Sequence, residues 1–173
     1  MAGAGTPGAK HASNSDYLLD QFSGQCQQLD WWRDLEDALG PYDTARTVYL
    51  YGDLKPEHLL IDDDQLHMVD WEVSGRGPAA ADHADATFHI LRDLIYMAVP
   101  LYRLPIGIIS QIAPHGGTLA WRLALWLDRR RPGDLHLIRA HDLHQLAAHG
   151  DPAAACKQSA RLIALLRTEG VPR

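Results

Sequence analysis

The chain is poor in several features that would each commit it to a class. It has two cysteines in 173 residues, Cys26 and Cys156, far apart and in no CxxC spacing. A disulfide framework and a cysteine-rich zinc site are both excluded. Cys156 falls in an alanine-rich helical stretch and reads as a buried structural thiol. No apolar run reaches the roughly 20 residues of a membrane helix; the longest, Leu94–Ile112, is interrupted by Pro100, Arg103 and Pro105. Residues Met1–Ser15 are polar and rich in Gly, Ala, Ser and Pro. They lack the apolar centre of a signal peptide and read as a flexible tail (1–15) ahead of a single domain over 16–173. A cytoplasmic location and no membrane partner are therefore expected. Positive charge is also scarce. The net charge is −6 and the one basic run, Arg129–Arg131, closes a helix, where it suits the helix dipole. A nucleic-acid surface needs a wider basic face, so no nucleic-acid partner is expected. There is no HExxH, no Cys/His zinc spacing and no serine in a nucleophile-elbow context. The ten histidines include a late group, His136, His141, His144 and His149. His141 and His144 share a helix face, but Asp142 points elsewhere on the wheel, so these read as surface or partly buried side chains rather than metal ligands.

What remains is an ordinary globular composition, 46% hydrophobic, and a length sufficient for one domain with a real core. Leu29, Trp32, Leu35 and Leu39 recur at helical spacing, which predicts a helix over Leu18–Leu39 stopped by Gly40-Pro41. Trp31 and Trp32 are adjacent and face different ways on it, one inward and one toward a partner. Thr47–Tyr51 reads as a strand. Leu59–Ile61 and His67–Val69 flank the turn-forming Asp62-Asp63-Asp64 and predict a hairpin. After a loop at Gly75–Pro78 the periodicity turns helical at Asp82–Val99, Leu119–Leu127, Leu135–Ala148 and Ala153–Leu166. The fold class is α+β, mainly α: a helical bundle carrying a short hairpin.

The informative stretch is Tyr49–Asp82, YLYGDLKPEHLLIDDDQLHMVDWEVSGRGPAAAD. A strand runs into Gly52-Asp53, a turn leads through His58 to Leu59-Leu60-Ile61, and a second strand ends in Val69-Asp70-Trp71-Glu72. This pattern resembles the aminoglycoside phosphotransferase and choline kinase branch of the protein-kinase-like superfamily. Gly52, Asp53, Leu54, Pro56, Asp70, Trp71, Glu72, Gly77, Pro78 and Asp82 match its loops. Phosphoryl transfer needs a carboxylate to accept the proton of a substrate hydroxyl and oxygen ligands for Mg²⁺ on the nucleotide phosphates. The resemblance implies that Asp53 is the base and Asp70 a metal ligand. Two positions depart from it. His58 stands where the family has the asparagine that is its other metal ligand, and Tyr51 stands where it has a histidine. Mg²⁺ prefers oxygen to imidazole, so no metal site is assigned to this chain alone. Asp82 reads either as the cap of its helix or as the family's structural aspartate, and Lys55 and Glu57 as solvated loop residues.

The resemblance covers the C-terminal lobe only. The residues ahead of the loop read as tail and helix, with no strand–Gly loop–strand pattern and no lysine but Lys10 to meet phosphates. A truncated kinase-like C-lobe without its N-terminal lobe is expected not to transfer phosphate from ATP by itself; Mg·ATP enters only if a partner supplies the missing lobe. The candidate site is Asp53, His58, Asp70 and Tyr51, with no cofactor of its own. Three readings follow. The first is a repurposed enzyme acting on a peptide, a thioether (lanthionine) cyclase of the class V lanthipeptide kind, in which these residues form an acid/base set. The second is a non-catalytic pseudokinase module binding a leader peptide or a separate kinase or lyase. The third is one half of a split phosphotransferase. A partner protein or a homodimer would cover the apolar face left by a lost lobe.

Overall fold

Helix Gly116–Arg130 is the element around which the rest is assembled. Every residue from Gly116 to Asp128 is buried, the mark of a helix enclosed on all sides. In the computed structural model, which describes residues 13–169, it is the fifth of seven α-helices among the described residues. In chain order these are α1 (Asn14–Leu19), α2 (Trp32–Leu39), α3 (Ala80–Tyr96), α4 (Ile106–Ile109), α5 (Gly116–Arg130), α6 (Ala140–Ala147) and α7 (Pro152–Glu169). Helices α2, α3, α6 and α7 pack on α5. Leu119, Leu123, Leu127, Phe88, Leu91, Leu35 and Ile163 are fully buried in one apolar cluster. The start of α5 is drawn in close: a Cβ at Gly116 would run into the Leu146 carbonyl of α6, so only glycine fits there.

Four strands, β1 (Thr47–Leu50), β2 (Leu59–Asp62), β3 (Gln65–Met68) and β4 (Gly75–Pro78), form two antiparallel pairs. The β2–β3 hairpin lies where the sequence predicts it. Its two turn residues, Asp63 and Asp64, both have positive φ (45° and 63°), the geometry of a two-residue hairpin turn whose twist matches the strands. The Asp62–Asp64 cluster is thus the turn, and the pairing register runs from Leu59↔Met68 to Asp62↔Gln65.

Several expectations are corrected. Gly75–Pro78 is not a loop but β4, paired with β1 from Leu50↔Gly75 to Thr47↔Pro78; tertiary pairing overrides the weak strand propensity of Gly and Pro. The helix expected over Leu18–Leu39 is broken. After α1 comes a 3₁₀ turn at Gly24–Gln28, and α2 begins at Trp32. The break is held from a distance, because Asp128 of α5 accepts from the Ser23 amide (2.8 Å), the Ser23 hydroxyl (2.5 Å) and the Cys26 thiol (3.2 Å). Leu135–Ala148 likewise divides into a 3₁₀ turn, Pro132–Leu137, and α6. Trp31 and Trp32 both face inward, 2% and 8% exposed; the second packs edge-on against Phe22 and donates to Glu36. Ser13–Ser15, placed with the tail, starts α1: Ser13 caps it, and Asn14 donates to the carbonyls of Tyr42 and Ala45. The rest of that tail, 1–12, lies outside the described residues. Helix α3 ends at Tyr96 rather than Val99. Ala98 takes φ 63° and the Val99 amide returns to the Leu94 carbonyl, which closes the last turn. Among the described residues no helix is long and apolar enough to cross a membrane.

Candidate active site

Strand β1 delivers Tyr51 and Gly52 to the top of the helical body, and the backbone turns sharply there. Gly52 has φ +89°, and a Cβ on it would enter the Val73 carbonyl; no other residue fits both the conformation and the space. The turn is fixed by Asp82 from the first turn of α3. Its carboxylate accepts from the Tyr51 amide (2.8 Å) and the Gly52 amide (2.9 Å). The helix itself is entered at Ala79 without a side-chain cap, so Asp82 clamps the loop rather than capping the helix.

Asp53 follows the clamped turn. Its Oδ2 is 2.6 Å from Lys55 Nζ, so Lys55 is not a solvated loop residue but the ion partner that orients this carboxylate. Glu57 is exposed, as expected. A 3₁₀ turn, Pro56–His58, then carries His58 inward to 8% exposure. The imidazole sits between the two acids: Nδ1 is 4.0 Å from Asp53 Oδ2 and Nε2 is 3.4 Å from Asp70 Oδ2. Asp70 lies just past β3 with φ 67°, a left-handed conformation that aspartate tolerates better than most residues. Tyr51 closes the group from beneath. It is 3% exposed, its hydroxyl donates to the Val69 carbonyl, and the hydroxyl oxygen is 3.0 Å from His58 Nδ1. Burial, then the charges of Asp70 and Asp53, push the Tyr51 hydroxyl above its ordinary pKa. Trp71 covers the tyrosine ring edge-on at 4.8 Å.

The structure therefore brings Asp53, His58, Asp70 and Tyr51 to one place. It also adds residues that no local pattern marks. A cavity of about 180 Å³ opens beside Asp53, lined by Lys55 and Glu57 together with His89 and Arg92 of α3 and Arg122, Arg129 and Arg130 of α5. The α3 and α5 residues are far from the loop in sequence, and only the contact between the two helices sets them beside it. Arg122 and His89 are buried, as is Asp85. Arg122 Nε donates to Asp85, and Arg122 Nη2 is 2.9 Å from His89 Nε2. Burial first, and then the Arg122 charge, press the His89 pKa down to about 2, so this imidazole is neutral.

Among the described residues no three His, Cys, Asp or Glu side chains gather as metal ligands. His144 of the late histidine group lies 3.6 Å from Asp34, far in sequence from the loop. A family model described as the phosphotransferase enzyme family matches residues 7–98. No curated protein and no solved structure matches the chain.

Proposed function

The chain belongs to the phosphotransferase enzyme family, and from that premise we propose that it supplies the catalytic loop of a phosphoryl-transfer site whose nucleotide-holding element lies outside the described residues. The observation that carries this reading is the convergence of Asp53, His58 and Asp70 at two strand ends, within 4.0 Å of one another through the imidazole. Asp53 is the base. Lys55 engages its Oδ2, which leaves Oδ1 to accept the proton of a substrate hydroxyl. The Asp82 clamp on the Tyr51 and Gly52 amides fixes where that oxygen points, and positioning is most of what such a site contributes.

Asp70 offers one carboxylate to a divalent cation, while His58 faces it with a nitrogen that Mg²⁺ disfavours. The single hydrogen of the Tyr51 hydroxyl goes to Val69, so His58 Nδ1–H donates to the phenol oxygen, and Nε2 faces Asp70. Mg²⁺ commonly takes one or two protein carboxylates and fills its remaining positions with phosphate oxygens and water. Asp70 would hold it together with the nucleotide phosphates, and Mg²⁺ with its nucleotide would supply the phosphoryl group and offset charge on the phosphate oxygens. The site needs a cover. Leu60, Ile61, Leu66, Trp71 and Val73 of the β2–β3 region are 49–79% exposed, an apolar strip suited to a nucleotide-holding element.

The test is transfer from γ-labelled ATP by the protein purified from its own cells, in whatever assembly it holds there, against the isolated chain. Transfer is expected in the assembly, absent from the isolated chain, and lowered at least ~100-fold by Asp53→Asn. Undiminished transfer by Asp53→Asn contradicts the assignment.

A second reading is favoured by His58 itself, a buried imidazole flanked by two carboxylates and a tyrosine. Without nucleotide, this set suits thiol addition to a dehydrated peptide, the lanthionine-forming step of class V lanthipeptide assembly. His58 would take the cysteine proton, the sulfur would bond the alkene β-carbon, and the α-carbon would be protonated. Ring formation from a dehydrated peptide with a free cysteine, lost in His58→Ala and Asp53→Asn, supports it. Binding of a leader peptide with neither activity would mark the chain as a non-catalytic module.

A further inference from the structure

The cavity beside Asp53 is cationic, and two of the residues that line it carry buried donors without a partner. Five cations line it, Lys55, Arg92, Arg122, Arg129 and Arg130, against the carboxylates of Asp53 and Glu57. Some of this charge is met locally: Lys55 by Asp53, Arg92 by Asp93 at 2.6 Å, and Arg122 by Asp85. Arg129 donates to the neutral Gln21 amide (3.1 Å).

The floor of the cavity is more specific than a charge count. Arg122 is 6% exposed and its Nη1 is buried without a hydrogen-bond partner. His89 is 4% exposed. Because arginine only donates, the His89 Nε2 that faces Arg122 Nη2 must accept. The proton of the neutral ring is then on Nδ1, and that atom too is buried with no partner. Both residues line the cavity, and a buried N–H donor without a partner carries a desolvation cost that an acceptor reaching it would offset. Guanidinium groups match the oxygens of carboxylate and phosphate.

We propose that this cavity receives an anionic group, a carboxylate or a phosphate, borne by the same small molecule whose hydroxyl meets Asp53. The inference rests on the reading of Asp53 as the base and adds the substrate class: a hydroxylated acid or phosphate ester. Polycations are disfavoured there, since the cavity's positive side chains outnumber the carboxylates of Asp53 and Glu57.

The experiment is a titration of the full chain, ¹⁵N-labelled at arginine, with inorganic phosphate, acetate and spermine in parallel, following the Arg122 Nε–H signal. Phosphate or acetate is expected to shift it saturably, and the anion that saturates at lower concentration identifies the group carried. Arg122→Ala strands buried Asp85 and is prone to misfold, so the exposed pair Arg129→Gln/Arg130→Gln is the working variant. It should weaken anion binding about tenfold without lowering the melting temperature, while Arg139→Gln, on the surface away from the cavity, leaves binding unchanged. A shift that rises linearly without saturation, an equal loss in Arg139→Gln, or saturable spermine binding overturns the proposal. Its failure is separable from that of the reading beneath it. Anion binding with full transfer by Asp53→Asn keeps the anion site and removes the base. Transfer that needs Asp53 with no saturable anion binding removes the anion site alone.

Discussion

Replacing Asp82 with alanine distinguishes a loop clamp from a helix cap. The carboxylate accepts from two successive amides, Tyr51 N at 2.8 Å and Gly52 N at 2.9 Å. Hydrogen bonds to a charged acceptor are worth about 1.5–3 kcal/mol each. Asp82 is half-buried, so the lower end applies, and Asp82→Ala should cost roughly 3 kcal/mol for the pair. A helix cap alone would cost about 1 kcal/mol. For a domain of this size the larger loss lowers the melting temperature by roughly 6–12 °C. Asp82→Asn keeps one acceptor oxygen and should lose about half as much. Urea denaturation with linear extrapolation reads the stability, and the transfer assay reads the loop. Because Gly52 immediately precedes Asp53, activity should fall even under conditions where the variant is fully folded. A cost near 1 kcal/mol with activity intact in the folded variant would refute the clamp.

Gly52→Ala should be severe for a steric reason. The residue sits at φ +89° with the Val73 carbonyl where a Cβ would go, so strain and clash add to at least about 2 kcal/mol, read by the same denaturation; an unaffected variant would show that the turn is differently built. His89 should make stability depend on acid. Its folded pKa, about 2, lies below the ordinary 6.5. Its contribution is therefore present above pH 6.5 and is lost as pH falls, by about 1.4 kcal/mol per unit. Asp85 works in the opposite sense, since burial raises it to about 6 against the pull of Arg122. Its contribution is full below pH 4 and lost as pH rises through 6. The stability difference between wild type and His89→Gln isolates the histidine, and a difference independent of pH from 7 to 5 contradicts a neutral buried ring.

The loop that carries the candidate site is legible in the sequence because its residues are close together. Gly52-Asp53, the Asp62–Asp64 turn and Asp70 lie within one short stretch, and their spacing survives folding as two strand ends facing each other. His58 and Tyr51 were found as departures from the family pattern, and both lie at the centre of the group. What escaped is what distance decides. Strand β4 exists because β1 pairs with it, not because of its own glycines and proline. The break in the first helical stretch is imposed by Asp128, over a hundred residues away. The cavity arginines of α3 and α5 carry no motif; Arg122 reads as an ordinary charged helix residue until Asp85 and His89 are seen around it. Lys55 reads as solvated in the sequence because nothing in the loop pattern marks Asp53, two residues earlier, as its ion partner.

If Asp53 and Asp70 serve one reaction centre, a double-mutant cycle on phosphoryl transfer reveals their coupling. In the native assembly, Asp53→Asn, Asp70→Asn and the double variant are compared for kcat and KM. Residues that act as a unit give non-additive losses, so the double variant should be no slower than the slower single one. Losses that multiply, or a single variant that transfers at the wild-type rate, would place the two carboxylates in separate roles and contradict the account.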